Sequence, residues 1–285
     1  MIKKLILGTA NFDLNYGVKN KYKKLRIKEI KKIIIYLKKK NISYIDTAQS
    51  YNNTEKILGK ENVKKFKIIT KFDFSNKDNS QNHAMKKFSI SIKNLKISSI
   101  NTVLFHHPKV LLKKNGKKIF NEMIALKKKG YIKKIGISVY EKSELKKILE
   151  QYKIDVVQIP INVFNQSFLS KDIIKEMKKK KIEIHARSIF LQGLLLLKEK
   201  KIPKIFFKYS FIFKKWQIWL KENKINSLEA CLNFISSQKC IKKIVVGVDS
   251  LEQLNQIVNF KKTKKVFDFS KLNTRFTKVN NPQKW

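Results

Sequence analysis

Residues 27–47 read IKEIKKIIIYLKKKNISYIDT, and this stretch contains a unit that recurs along the chain. Its first part has the apolar spacing of a helix, and its last part is a short apolar run that indicates a strand. The lysines at 38–40 place positive charge at the predicted helix C-terminus, where it interacts favourably with the helix dipole. Asn41 follows where a left-handed cap is needed. The stretch therefore predicts a capped helix that leads into a strand.

The same order recurs elsewhere. Lysine runs at 127–129 and 178–181 also end helical patterns shortly before a strand, and Gly130 takes a cap position. Short apolar runs, typical of parallel strands covered on both faces, predict eight strands: Leu5–Ala10, Ser43–Thr47, Lys67–Lys71, Thr102–His106, Lys134–Val139, Asp155–Pro160, Ile182–Ser188 and Lys243–Val248. Helical periodicity lies between most of them, for example in Ile27–Lys40, Gln81–Leu95, Lys118–Lys129, Lys142–Tyr152 and Asp172–Lys180.

Eight strands with intervening helices predict an α/β protein with the (β/α)8 fold, a TIM barrel. No low-complexity tract or flexible linker divides the chain, so residues 1–285 are expected to form a single domain. A doubly wound open sheet is the main alternative, but its usual phosphate fingerprints, GxGxxG and GxxxxGK, are absent. The long aromatic span Leu191–Asn226 would lie over the C-terminal mouth of a barrel, where active sites form.

The formal net charge of +44 raises the question of nucleic-acid binding. The lysines are spread along the whole chain, however, and only three arginines occur: Arg26, Arg187 and Arg275. The side chain that most often reads bases and forks around phosphates is thus nearly absent. Abundant Lys, Ile and Asn is the composition that an AT-rich coding sequence produces. We expect no specific nucleic-acid partner and only a weak, salt-sensitive affinity for polyanions.

Other bulk features bear on location. No apolar run approaches the ~18 residues that span a bilayer, and the apolar stretch after Met1 stops too soon for a signal peptide. Cys231 and Cys240 lie in one helical or near-helical stretch, and a single potential pair is weak evidence for a disulfide framework. We expect reduced thiols, a cytoplasmic protein and no membrane partner. The oligomeric state stays open.

Four chemically different side chains follow successive predicted strands. Asp46 and Tyr51 follow the second strand in YIDTAQSY, Lys71 ends the third in IITK, and His106 ends the fourth in VLFHHP. Since parallel strands of a barrel end at the same rim, all four side chains are expected to face one mouth.

This set of side chains can reduce a carbonyl. The developing alkoxide needs a proton, and a phenol with a pKa near ~10 is a poor acid at neutral pH unless it is helped. A neighbouring ammonium stabilises the phenolate and lowers that pKa. A carboxylate keeps the ammonium charged and aimed, and an imidazole nitrogen can orient the substrate oxygen.

Each residue also has a structural alternative. Asp46 could be a helix cap or a turn residue, Tyr51 could be an ordinary loop aromatic, and Lys71 is one of many lysines. We expect His106 to be the reactive histidine and His107 to pack in the mouth.

The other two histidines, His83 and His185, are interpreted as structural or surface residues. No metal-ligand spacing links the four histidines, so no metal is expected.

The ordered combination resembles the aldo-keto reductase family, and the short connections without an N-terminal hairpin are similar to its compact bacterial branch. The matching segments run over most of the chain: Leu7–Ala10, Ile45–Tyr51, His106–Pro108, Gly136–Ser138, Val157–Gln158 and Val246–Asp249. The resemblance implies a (β/α)8 barrel and a nicotinamide cofactor bound in an extended form without a Rossmann fold. It also implies a catalytic tetrad of Asp46, Tyr51, Lys71 and His106. Tyr51 would be the general acid, with Lys71 and Asp46 as its pKa-lowering pair.

By the same resemblance, Ser138 and Gln158 would hydrogen-bond the nicotinamide carboxamide, although Val139 stands where many members have asparagine. Arg187 occupies the position of an aromatic ring that commonly stacks on the nicotinamide, and a planar guanidinium can stack as well. An interior ion pair is its structural alternative. The full set of implied cofactor contacts is Thr9, Ser138, Gln158, Arg187, Ser188, Gly193, Gly247, Asp249 and Gln253.

The start of the last helix bears on the cofactor type. Ser250 is a predicted N-cap with Gln253 at the capping-box position, and a helix N-terminus favours an anion. Yet Gly247 and Gln253 stand where NADP-preferring members often carry lysine and arginine. Lys242 and Lys243 lie nearby in sequence. The resemblance implies NADPH as the cofactor, with NADH as the alternative.

The predicted function is NAD(P)H-dependent reduction of an aldehyde or ketone, with sugar-derived carbonyls as one option. The substrate pocket is expected to be walled by the aromatic span and the C-terminal tail, including Trp216, Trp219 and Trp285. Two other functions stay open. One is a non-catalytic, nicotinamide-binding regulatory protein on the same barrel, and the other is a polyanion-binding protein.

Overall fold

The computed structural model describes residues 2–14, 17, 24–74 and 82–285. Eight parallel strands pair in sequence order, and β8 pairs with β1, so that the sheet closes into a barrel. The strands are β1 (Leu5–Gly8), β2 (Tyr44–Asp46), β3 (Lys67–Phe72), β4 (Ile100–Phe105), β5 (Ile132–Ser138), β6 (Val156–Pro160), β7 (Glu183–Arg187) and β8 (Ile241–Gly247). The predicted (β/α)8 barrel is confirmed, and every predicted strand overlaps one of these.

The helices alternate with the strands and surround the barrel. They are α1 (Ile27–Lys39), α2 (Thr54–Lys60), α3 (His83–Leu95), α4 (Gly116–Lys128), α5 (Lys142–Gln151), α6 (Lys171–Lys179), α7 (Ser210–Glu222), α8 (Ser227–Ser237), α9 (Leu251–Val258) and α10 (Thr277–Asn280). The predicted caps are confirmed: Asn41 has φ 54° and Gly130 has φ 76°. In α1, Ile30, Ile33, Ile34 and Leu37 are buried at helical spacing, which explains how each helix covers the sheet.

The barrel interior is filled in two layers because every second strand residue points inward. The lower layer is a small apolar cluster: Ile6, Ile69, Leu104 and Val156, with Tyr44 and Val245 against it. At Gly136 a β-carbon would lie 2.4 Å from the Val156 carbonyl oxygen and 2.5 Å from a Leu104 methyl, so only glycine fits there. The next inward positions on these strands, two residues further, form the upper layer, which holds the predicted site residues.

The aromatic span takes a different role from the predicted one. Trp216 is 1% exposed and donates from its indole nitrogen to the Leu195 carbonyl (3.1 Å), while Trp219 donates to the Asp268 carbonyl (3.0 Å). The two indoles stack on each other 5.6 Å apart inside the main hydrophobic core. The expectation that these tryptophans wall the substrate pocket is wrong for Trp216 and Trp219, because burial with a satisfied indole N–H suits core packing.

Three further features bear on the sequence predictions. No helix in the described ranges combines the length and the apolar composition that crossing a bilayer requires. Cys231 and Cys240 are both free thiols, and the first is buried in α8. His185 is buried on β7, with its Nε2 atom 3.5 Å from a Glu183 carboxylate oxygen, in agreement with a structural role.

Candidate active site

The upper layer brings together three of the four predicted catalytic side chains. The Lys71 ammonium is 2% exposed and lies 2.5 Å from Asp46 Oδ1, 2.8 Å from the Thr47 carbonyl oxygen and 3.5 Å from the Tyr51 hydroxyl. Asp46 ends β2, Lys71 lies in β3, and Tyr51 sits in the loop that follows β2. The strand ends therefore deliver a buried ammonium–carboxylate pair to the base of a phenol.

Both oxygens of the Asp46 carboxylate are engaged. Lys71 holds Oδ1, and the side-chain amide of Gln158 donates to Oδ2 at 2.7 Å. The amide comes from the inward position on β6, across the barrel. The sequence implies a cofactor role for Gln158, and the structure adds a second contact that fixes the orientation of the carboxylate.

The pKa of Tyr51 is raised above its ordinary value. Burial is the largest cause and the Asp46 carboxylate is the next, while the Arg187 guanidinium acts in the opposite direction. The net shift is upward, opposite to the lowering that the sequence predicts, because burial dominates and the Asp46 carboxylate offsets the charge of the ammonium that it holds at 2.5 Å. The phenol consequently keeps its proton at neutral pH.

His106 follows β4 directly and completes the predicted set. Its ring lies 6.0 Å from the Tyr51 ring, edge to face. The Nδ1 atom is 3.1 Å from the Ser50 hydroxyl and 3.3 Å from Asp73 Oδ2. Burial lowers the pKa of His106 more than its bond to Asp73 raises it, so the neutral imidazole is favoured.

Ser50 and Asp73 were missed in the sequence. Asp73 could have been found from its position two residues after Lys71, because alternate residues leaving a strand face the same side.

Within the described ranges, Asp73, His106 and His107 place potential metal-ligand atoms within 4.8 Å of one another. The imidazole rings of His106 and His107 stack nearly parallel, with an angle of 18° between their planes. The absence of a metal stays a prediction. His107 is 66% exposed, so its predicted packing in the mouth is wrong.

A groove of about 380 Å³ runs from Asp46 and Tyr51 across the mouth to the start of α9. Most of the implied cofactor contacts line it: Thr9, Gln158, Arg187, Ser188, Gly193, Gly247, Asp249 and Gln253. Ser138 does not; it is buried at the end of β5, in register with Gln158. Asn11 and Gln192 also line the groove and were not found from the sequence.

The groove fits an extended, polar ligand. The chain after β7 turns along it through Ser188, Leu191 and Gln192, all with φ between 50° and 57°, and then Gly193 at 86°. Such left-handed residues are uncommon outside functional or tight turns. The Asn11 Oδ1 atom is buried there without a hydrogen-bond partner, which leaves an acceptor for a ligand.

Arg187 reaches the groove from the end of β7. Its guanidinium lies 3.8 Å from the centre of the Tyr140 ring and donates to the Val139 carbonyl at 3.2 Å. It forms no ion pair with a carboxylate in the part of the chain that the structure describes. One face of the guanidinium lies on Tyr140, so a further ring could stack only on the other face.

The start of α9 is capped as predicted, since the Ser250 hydroxyl accepts from the Gln253 backbone amide at 3.2 Å. Lys243 does not reach the end of the groove at the start of α9. It lies near the N-terminal end of β8, where its ammonium donates to the Lys3 carbonyl at 2.8 Å and lies 4.1 Å from the Tyr44 ring. Lys242 precedes it in the strand, at the same end of the barrel.

Comparison with solved structures shows the same fold in proteins of low sequence identity. An aldo-keto reductase of Bacillus halodurans, in its holo form, is 14% identical with a TM-score of 0.71, and the match covers 92% of this chain and 88% of that one. A protein of Pseudomonas aeruginosa described as an aldo-keto reductase is 19% identical with a TM-score of 0.65, over 90% and 88% of the two chains. The glycerol dehydrogenase of Gluconobacter oxydans is 17% identical with a TM-score of 0.67, over 91% and 87%.

No curated protein matches the chain by sequence. A family profile does, over residues 4–272, which is nearly the whole chain and includes every residue of the candidate site. On this match the protein is an oxidoreductase whose family uses nicotinamide cofactors and small-molecule carbonyl substrates. The chain belongs to the Aldo/keto reductase family.

Proposed function

We propose that the protein reduces an aldehyde or ketone to an alcohol, with Tyr51 as the general acid. The observation that carries this proposal is the Tyr51 hydroxyl 3.5 Å from an ammonium that Asp46 holds at 2.5 Å in a buried site. When bound, a reduced nicotinamide would supply the hydride to the carbonyl carbon. The protein's own residues handle the proton and the substrate oxygen.

Tyr51 is suited to donate that proton. Its raised pKa keeps the phenol protonated at rest, and burial with Asp46 causes the rise. As negative charge develops on the carbonyl oxygen, the O–H bond of Tyr51 breaks and the proton passes to that oxygen. The phenolate left behind faces the Lys71 ammonium, which stabilises it until solvent returns a proton.

His106 would position the substrate carbonyl. Nδ1 faces both the Ser50 hydroxyl at 3.1 Å and the Asp73 carboxylate at 3.3 Å. A bond to Asp73 requires the proton of the neutral imidazole on Nδ1, whereas in the tautomer that we propose for catalysis Ser50 donates to Nδ1 and the proton sits on Nε2. The Nε2–H group can then donate to the carbonyl oxygen, beside the Tyr51 hydroxyl. Two donors that converge on one oxygen act as an oxyanion site for the developing alkoxide.

The nicotinamide dinucleotide would lie in the groove, with its reactive ring beside Tyr51. Arg187 would stack on that ring, and Gln158, which lines the groove, is the proposed carboxamide partner; Ser138 is buried outside the groove lining. Ser188 and Gly193 would follow the pyrophosphate, since a β-carbon at Gly193 would meet nothing within 4 Å and the backbone is open to a ligand. These contacts concern parts that NADPH and NADH share, so both cofactors are candidates.

A sugar-derived carbonyl is the proposed substrate class. The similar protein from Gluconobacter oxydans is named for glycerol, a polyol. In the mouth of this chain the polar groups Ser50 and Asn52 are exposed beside Tyr51, and they could pair with substrate hydroxyls. We propose that residues 1–285 act as one catalytic domain in the cytoplasm, a compartment that suits two free cysteines.

Purified protein should be given a panel of aldoses, ketoses, simple aldehydes and ketones with NADH or NADPH, and loss of reduced nicotinamide absorbance should be followed. Substrate-dependent oxidation of the cofactor is the expected result. Stoichiometric cofactor binding without oxidation on any carbonyl would favour the non-catalytic regulatory protein instead.

A further inference from the structure

The charge of the groove is unlike that of the rest of the molecule. The chain carries 65 lysine and arginine residues, yet within the described ranges no lysine lines the groove, and Arg187 is its single arginine. Arg187 lies at the Tyr51 end. At the opposite end, formed by the β8–α9 junction, the charged lining residue is Asp249. A ligand that extends away from Tyr51 therefore meets a carboxylate at its far end.

Three backbone amides around the start of α9 already have side-chain acceptors. The Leu251 amide donates to Glu29 Oε1 at 2.7 Å, the Gln253 amide to the Ser250 hydroxyl, and the Asp249 amide to Gln253 Oε1 at 2.8 Å. A helix N-terminus binds phosphate through such free amides. Here the Glu29 carboxylate from α1 already takes the Leu251 amide, so a phosphate at this helix start would lie against a carboxylate.

One lysine of α1 close to this junction has a carboxylate partner. Lys32 lies one helical turn from Glu29 on α1, with its ammonium 3.8 Å from Glu29 Oε2. Asp249 is exposed, and its Oδ1 accepts from the Asn11 side-chain amide at 3.0 Å. One carboxylate oxygen of Asp249 is thus left to accept a hydrogen bond from a neutral hydroxyl.

We propose that the enzyme discriminates against NADPH and takes NADH, through the carboxylates of Glu29 and Asp249. This inference rests on the proposed function, which places the reactive ring at Tyr51 and the adenosine half at the β8–α9 junction. NADPH carries an additional phosphate dianion on its adenosine ribose, and that dianion would lie near the Asp249 carboxylate of the groove and the Glu29 carboxylate that holds the Leu251 amide. NADH presents a hydroxyl at the same place, which Asp249 can accept. This revises the expectation of NADPH from the family resemblance.

The test is a direct binding titration of NADH and NADPH, followed by cofactor fluorescence or calorimetry at low ionic strength, so that it does not depend on finding the substrate. NADH is expected to bind at least about tenfold more tightly. Glu29→Gln and Asp249→Asn keep the acceptor oxygens that Leu251 and Asn11 use. Each should tighten NADPH about threefold to tenfold, because one repulsive charge is removed. Glu29→Gln should change NADH less than about twofold, whereas Asp249→Asn should also weaken NADH, because a neutral amide oxygen is a weaker acceptor for the ribose hydroxyl.

Glu222→Gln is the matched control, since it removes the same charge from the exposed end of α7, away from the groove. It should leave both affinities unchanged. Equal or tighter binding of NADPH by the unaltered protein would overturn the inference and leave the reductase proposal intact. If Lys32→Ala then abolished that NADPH binding, Lys32 would be identified as the phosphate ligand. Failure of both dinucleotides to bind would overturn the reductase proposal together with the inference.

Discussion

Replacing Lys71 with methionine removes one partner of the buried pair that organises the site. The ammonium and the Asp46 carboxylate are 2% and 4% exposed and lie 2.5 Å apart. Without Lys71, the carboxylate keeps the Gln158 amide at 2.7 Å as its donor and has no opposite charge beside it. Loss of one member of a buried pair costs about 3–5 kcal/mol, because the remaining charge stays desolvated. We expect Lys71→Met to lower the free energy of unfolding by that amount.

Urea unfolding at neutral pH, followed by tryptophan fluorescence, measures this change. The control is Lys146→Met, which makes the same substitution in the pair Lys146–Asp172, where the atoms are 3.0 Å apart and the side chains are 48% and 57% exposed. That variant should unfold like the original protein, because exposed pairs contribute little.

A double-mutant cycle separates pairing from packing. Asp46→Asn alone should also be strongly destabilising, whereas Lys71→Met combined with Asp46→Asn should cost less than the sum of the two single changes by about 0.5–3 kcal/mol. The reasoning is refuted if Lys71→Met stays within about 1 kcal/mol of the original protein, or if the two changes are additive.

Three further predictions concern the scaffold and the groove. Gly136→Ala should destabilise the barrel by about 1–3 kcal/mol or more in urea unfolding, because its new carbon would lie 2.4 Å from the Val156 carbonyl; a neutral result would contradict the layer packing. Burial raises the pKa of Glu55, so its contribution to stability is present at low pH and is lost as the pH rises from 4.5 through its raised pKa. Glu55→Gln should therefore gain stability relative to the original protein over that rise, and a pH-independent difference in unfolding free energy would count against it. Arg187→Leu should weaken nicotinamide dinucleotide binding about fivefold in a fluorescence titration, since a stacking cation is lost; unchanged affinity would remove Arg187 from the site.

The fold could be predicted from local features that repeat. Lysine-ended helices, the left-handed positions at Asn41 and Gly130, and apolar strands are all short-range signals, and the barrel closes because each strand pairs with its sequence neighbour. Strand ends were mostly within one or two residues of those observed. The order of chemically distinct residues after β2, β3 and β4 also sufficed to place Asp46, Lys71 and His106 at one rim.

What the sequence could not show depends on contacts between distant segments. The Gln158 amide crosses the barrel to Asp46, and Glu29 on α1 takes an amide of α9, at separations of 112 and 222 residues. The direction of the Tyr51 pKa shift depends on the balance between burial, which raises the pKa, and the charges around the phenol. That balance depends on the folded structure and cannot be obtained from the sequence. Trp216 was misassigned because a core indole and a ligand-binding indole have the same sequence pattern.

The most direct test of proton donation is the turnover of Tyr51→Phe, measured beside its affinity for the nicotinamide dinucleotide. Tyr131→Phe, which removes a hydroxyl just before β5 at the opposite end of the barrel, is the matched control and should turn over normally. We expect Tyr51→Phe to lower kcat by about a hundredfold or more, while the dissociation constant of the cofactor changes less than about twofold. Retention of most of the turnover by Tyr51→Phe would contradict the assignment of this phenol as the proton donor.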